Sequence, residues 1–131
     1  MNATGSVLVD TSVVVAHFRG DQGVAPLLGE TPVLFVPWIV LGELHYGAHR
    51  ARRRQEGLAL IREFLKIGVV LLPDELTAEV YGQIKAELAQ AGTPIPDNDL
   101  WIAALAREYQ LPLATKDRHF ALVPGLSTLA W

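Results

Sequence analysis

Val7-Leu8-Val9-Asp10-Thr11-Ser12-Val13-Val14-Val15-Ala16-His17-Phe18 is the stretch whose reading decides the fold. Its first three residues form a short apolar run of mainly β-branched character and read as a buried strand. Asp10-Thr11-Ser12 supplies side chains that cap a helix, so residues 13–18 read as helical. The same strand-then-helix unit recurs outward along the chain. Residues 33–36 are a second strand, and Pro37 suits the first turn of a helix over 37–48, where its missing N–H is no loss.

Further on, Leu58, Ile61, Phe64 and Leu65 recur at helical spacing across residues 53–66, and Gly68 separates that helix from a third strand at 69–72. Residues 77–91 form another amphipathic helix, closed by Gly92. Thr93-Pro94-Ile95-Pro96 then forces an extended lead into a helix over 98–109. Residues 112–115 are the fourth strand and 127–130 a candidate fifth. Strands alternating with helices predict an α/β fold: a parallel sheet flanked by helices, with right-handed crossovers.

With 131 residues the chain has room for one domain with a hydrophobic core, so 1–131 reads as a single unit. Although 50% of it is hydrophobic, every apolar run is broken by Pro, Gly or charge before the roughly 18 to 20 residues a membrane span needs. The first residues lack a basic segment leading into an apolar core, and a cytoplasmic location is the expectation. No cysteine is present, which fits a reducing compartment and excludes thiolate catalysis and cysteine zinc sites. Net charge is −3, yet five of the 14 acids (Asp10, Glu43, Asp97, Asp99 and Asp117) lie in or beside apolar segments; setting those five aside turns −3 into +2. Arg50, Arg52, Arg53 and Arg54 form a dense positive run that reads equally as a solvated helix face or as a contact for phosphate or an acidic protein.

Ligands of an open α/β sheet bind beyond the carboxyl ends of its strands. Asp10 closes the first strand and Asp117 follows the fourth, so one crevice receives both; each also has a structural reading, as N-cap and turn residue respectively. Glu43 is harder to explain structurally, because Ile39, Val40 and Gly47 put it on an apolar helix face. Asp99 repeats that pattern, with Ile102, Ala103 and Ala106 at helical spacing. Four carboxylates about 5 Å apart repel by roughly 3 kcal/mol per pair at an effective dielectric of ~20. A hard divalent cation, Mg²⁺ or Mn²⁺ rather than Zn²⁺, removes the conflict and suits metal-assisted attack of water on a phosphodiester. Asp97-Asn98-Asp99 is no EF-hand, since that loop needs Gly where Ile102 stands. His17, His45, His49 and His119 are scattered, and neither a phosphate-binding Gly-Lys loop nor a serine-hydrolase elbow is present.

The chain is similar, nearly end to end, to the PIN-domain family, and within it to toxins of the VapC type. Val7-Leu8-Val9-Asp10-Thr11-Ser12 resembles the family's first motif, Leu41-Gly42-Glu43-Leu44 with Tyr46-Gly47 its second, Ile95 through Ala104 its third, and Thr115-Lys116-Asp117-Arg118-His119-Phe120 its last. The resemblance implies a strand order of 3-2-1-4-5 and a Mg²⁺- or Mn²⁺-dependent endoribonuclease that acts on RNA as a homodimer and is inhibited by a cognate antitoxin. It also implies Asp10, Glu43, Asp99 and Asp117 as catalytic and metal-site acids, with Asp97, Thr115 and Ser12 as accessory groups. Asp97 also reads as a helix cap. Trp38, Trp101 and Tyr46 lie on helices that share a candidate face for a dimer contact.

Three other readings compete. A phosphoryl-accepting receiver module fits poorly, because paired acids after the first strand and a late Lys-Pro are missing. A non-catalytic nucleic-acid-binding domain of the same fold would have lost a core acid, and none is lost. A DNA nuclease would use the same carboxylate chemistry.

Overall fold

Strand β1 (Ser6–Val9) is buried at every residue, the condition of a strand covered on both faces. Asp10 caps α1 (Thr11–Phe18), its Oδ1 accepting from the Thr11 amide at 2.8 Å. Then come α2 (Val24–Glu30), β2 (Val33–Pro37), α3 (Trp38–Arg50), α4 (Arg54–Phe64) and β3 (Gly68–Leu71). The chain continues as α5 (Glu75–Ala91), α6 (Asp97–Tyr109), β4 (Leu113–Thr115), a 3₁₀ turn (Arg118–Leu122) and β5 (Thr128–Ala130). The structure is a computed structural model that describes residues 5–131; the first four residues of the expected single unit lie outside them.

All five strands are parallel, in the order β3-β2-β1-β4-β5 that the resemblance implied. Helix α6 is deeply set, with Leu100 and every residue from Ile102 to Ala106 buried. It packs along α5, as α3 packs along α4. This topology also places the site. The chain lays β1, β2 and β3 outward in one direction, then returns to put β4 on the other flank of β1. Loops leaving the carboxyl ends of β1 and β4 therefore diverge, and a crevice opens between them.

Two short elements escaped the sequence reading. In α2 only Val24 and Leu28 are buried, too thin a stripe to show as periodicity, while Pro26 and Gly29 read as loop punctuation. The 3₁₀ turn holds down a single core residue, Phe120, which is fully buried. Some boundaries moved for identifiable reasons. Helix α5 starts at Glu75 rather than Thr77 because Asp74 caps it, with Thr77 answering as the other half of a capping box. Pro37 ends β2 and precedes α3 instead of sitting inside the helix. Gly68 does more than interrupt: a Cβ there would stand 2.8 Å from Val36 Cγ2, so β3 needs a glycine to lie against its neighbour.

Candidate active site

Asp10 is 2% exposed, and a carboxylate so buried must find donors. Besides the Thr11 amide on Oδ1, the Ser12 and Thr115 hydroxyls each donate to Oδ2 at 2.8 Å. Those hydroxyls also accept, Ser12 Oγ from the Lys116 amide at 3.0 Å and Thr115 Oγ1 from the Asp117 amide at 2.9 Å. The end of β1 is thereby tied to the segment after β4, 105 residues away. An ionised carboxylate offers about four lone-pair sites. Three are occupied here, so one on Oδ1 stays available.

Glu43 projects from α3 beside buried Val40 and Leu44. Thr11 Oγ1 donates to its Oε1 at 2.8 Å, and its Oε2 has no hydrogen bond among the described residues. Asp99 stands in the first turn of α6, where Ile102, Ala103 and Ala106 are buried as their spacing predicts. Its side chain is 15% exposed and its Oδ2 lies 2.6 Å from His119 Nε2. Burial pushes the Asp99 carboxyl above the usual carboxylate range; His119 opposes the shift, and the charges of Asp10 and Glu43 add to it. Asp117 is exposed, and its side chain has no hydrogen bond among the described residues.

Asp10, Ser12, Glu43, Asp97, Asp99 and Asp117 line one cavity, together with Thr11, Pro96 and Asn98. Thr115 is not on its wall but supports Asp10 from β4. Among the described residues no three acidic or imidazole side chains close into a ready-made metal cage. The available donors are carboxylate oxygens on separate elements, a set that fits a hard cation keeping several of its own waters. Asp97 does not cap α6; that position belongs to Pro96. The Tyr81 hydroxyl donates to Asp97, Lys85 Nζ stands 3.5 Å away, and the hydrogen bond followed by that charge holds its carboxyl low.

His119 is the residue the sequence reading missed. It lies inside the last quoted motif, but nothing in the spacing shows that the 3₁₀ turn carries it to Asp99. The arginine run resolves toward solvent: Arg52, Arg53 and Arg54 are exposed and Arg53 pairs with Glu56 at 3.7 Å, whereas Arg50 lies over the Tyr46 ring at 5.1 Å. Trp38 meets Trp101 edge to face at 6.0 Å, and Trp101 stacks on Tyr81 at 3.9 Å. Tyr81, rather than Tyr46, therefore joins the two tryptophans. A larger groove adjoins the acids, lined by Val15, Phe18, Ile39, Leu60 and Ile61 with Arg19 and Arg50; Thr11, Glu43 and Asn98 line both cavities.

The profile of the PIN domain matches residues 7–126. A tRNA(fMet)-specific endonuclease VapC of Shigella flexneri is 39% identical over 94 residues, 71% of each chain. Among solved structures, DNA-bound VapBC from Salmonella typhimurium superposes with a TM-score of 0.88 at 29% identity, covering 95% of this chain and 96% of the other. VapBC-5 from Mycobacterium tuberculosis, a member of the VapBC family of toxin-antitoxin systems, superposes at 0.76 with 28% identity over 95% of this chain and 96% of that one.

Proposed function

This chain belongs to the PIN domain family, and on that footing we propose that it is the ribonuclease toxin of a toxin–antitoxin pair, hydrolysing RNA at its acid pocket with Mg²⁺ or Mn²⁺. One observation carries the reading. Three carboxylates from three separate elements are each held by protein donors while keeping acceptor capacity, and they share one cavity with Asp117.

In this reading Asp10, Asp99 and Asp117 would hold the cation, and Glu43 would serve as a further ligand or as the acceptor of the water proton. A bound divalent ion lowers the pKa of water and offsets charge building on the phosphoryl oxygens. The chain's own part is orientation. Thr11 fixes the Glu43 carboxylate, so that Oε2 is the oxygen left to take a proton as water attacks phosphorus. The P–O3′ bond breaks, the O3′ takes up a proton, and the products carry 5′-phosphate and 3′-hydroxyl ends.

The groove beside the acids suits the antitoxin. Its apolar lining and its two arginines fit a segment of apolar and acidic residues, and an occupant passing Thr11, Glu43 and Asn98 would cover the acid pocket. The Trp38–Trp101–Tyr81 cluster is assigned to the homodimer contact, and sedimentation showing only monomer at micromolar concentration counts against it. In this reading the protein would act in the cytoplasm, where RNA lies. Among the described residues no helix is long and apolar enough to cross a membrane.

Purified protein incubated with a structured RNA, with and without EDTA, tests the reaction through analysis of fragment ends. Cleavage should stop in EDTA and leave 5′-phosphates without it. Robust cleavage in EDTA, or 2′,3′-cyclic phosphate ends, would sink the cation-water reading.

A further inference from the structure

The acids of the pocket share a pattern that assigns a role to one more residue. Asp10 is gripped by Ser12 and Thr115, and Glu43 by Thr11, so two of the three sheltered carboxylates are set by hydroxyl donors. Asp99 has no hydroxyl. Its one hydrogen-bond partner among the described residues is His119, with Nε2 at 2.6 Å from Oδ2. An ionised carboxylate only accepts, so the imidazole Nε2 facing it carries the hydrogen and donates it to Asp99. His119 does not line the acid cavity itself but stands behind Asp99, which does.

Its own position is well determined. The imidazole rests against the Phe120 ring at 4.9 Å between centroids, and Phe120 is fully buried, so the 3₁₀ turn is pinned to the core beside the histidine. At the other end of the turn the Asp117 amide is bound to Thr115 Oγ1. A side chain anchored on both flanks can hold its partner to one rotamer.

We propose that His119 is a positioning residue: it fixes Asp99 through Oδ2 and leaves Oδ1 as the oxygen offered into the pocket. The inference rests on the cation reading above. An orienting hydrogen bond of this kind contributes to metal affinity by sparing the ligand the search for its bound rotamer, and its loss weakens binding by about tenfold to a hundredfold.

The experiment is calorimetric titration of Mn²⁺ into the full chain as wild type, His119→Phe and His119→Gln, with circular dichroism to verify folding. Phenylalanine keeps a ring against Phe120 and removes the donor, whereas the glutamine amide restores a donor near the place of Nε2. His119→Phe should bind Mn²⁺ about tenfold or more weakly, and His119→Gln should recover most of that loss. Unchanged affinity in His119→Phe overturns the proposal. Equal loss in both variants overturns it too, because the ring and not its N–H would then matter. If wild type binds no Mn²⁺ at all, the cation reading itself falls and this inference with it.

Discussion

Two clusters of carboxylates lie in different parts of this molecule, and only one has the makings of a site. In the pocket beyond β1 and β4, Asp10, Glu43 and Asp99 each have their own donors. Where the start of α5 meets the end of α6, Asp74 and Glu108 instead compete for one hydroxyl: Thr77 Oγ1 lies 2.5 Å from Glu108 Oε1 and 3.1 Å from Asp74 Oδ1, while accepting from the Asp74 amide at 2.9 Å. That second cluster is a capping box with an extra acid leaning on it. Its one hydroxyl serves two acids at once. The first gives each acid a donor of its own, draws its members from residues far apart in sequence and turns them onto one cavity, which a merely structural network has no need to do.

Neutralising one acid from each cluster separates them most sharply. Asp99→Asn should lower RNA cleavage by at least about a hundredfold, the scale of removing a central electrostatic group. Glu108→Gln should leave cleavage unchanged. Both should raise the melting temperature of the cation-free protein near neutral pH, since burial pushes both carboxyls up and each charge burdens the native state. Comparable activity in the two variants would erase the distinction.

A smaller effect is expected from cation binding. Mn²⁺ bound only to the folded state raises stability by mass action, about 2.7 kcal/mol at about 100 times Kd. The shift should appear in wild type and in Glu108→Gln and vanish in a chain carrying Asp10→Asn with Asp99→Asn. A surviving shift in that double variant, read by thermal melting, would mean the ion binds elsewhere.

Sequence made the open cluster visible and hid the closed one. Asp99 stood out because Ile102, Ala103 and Ala106 mark an apolar face on which a carboxylate has no structural reason to sit, and the strand-helix alternation put Asp10 and Asp117 at one end of the sheet. Glu108 gave no comparable signal, because it follows Arg107 near a helix end and reads as surface charge. What could not be read was the side-chain wiring. The link from Thr115 to Asp10 spans 105 residues and that from Thr11 to Glu43 spans 32, distances over which no local pattern carries information. Asp97 went to Tyr81 and Lys85 for the same reason, since its partners are on the preceding helix. α2 was lost because two buried residues make no period.

The smallest effect is the pH dependence of the closed cluster. Burial raises the Glu108 carboxyl above the ordinary glutamate value of 4.5; the Thr77 hydrogen bond pulls the other way and the Asp74 charge adds to the rise. The native state therefore holds this proton more tightly than the unfolded chain does. Glu108's contribution to stability is full below about pH 4.5 and drains away as pH climbs through its raised folded pKa. Asp74 runs the opposite way. The Thr77 amide hydrogen bond, first among its causes, holds its carboxyl below 3.8, so its contribution is present above that value and lost only in stronger acid. Between pH 4.5 and neutrality Asp74 is thus a constant and Glu108 the variable. Glu108→Gln, which cannot ionise, should melt above wild type at pH 7, and the gap should close as pH is lowered toward 4.5. Thermal melts of both proteins across that range measure it directly. A gap that stays constant with pH would show that Glu108 gains or loses nothing by its charge, and that Asp74 and Glu108 are not in conflict over the Thr77 hydroxyl.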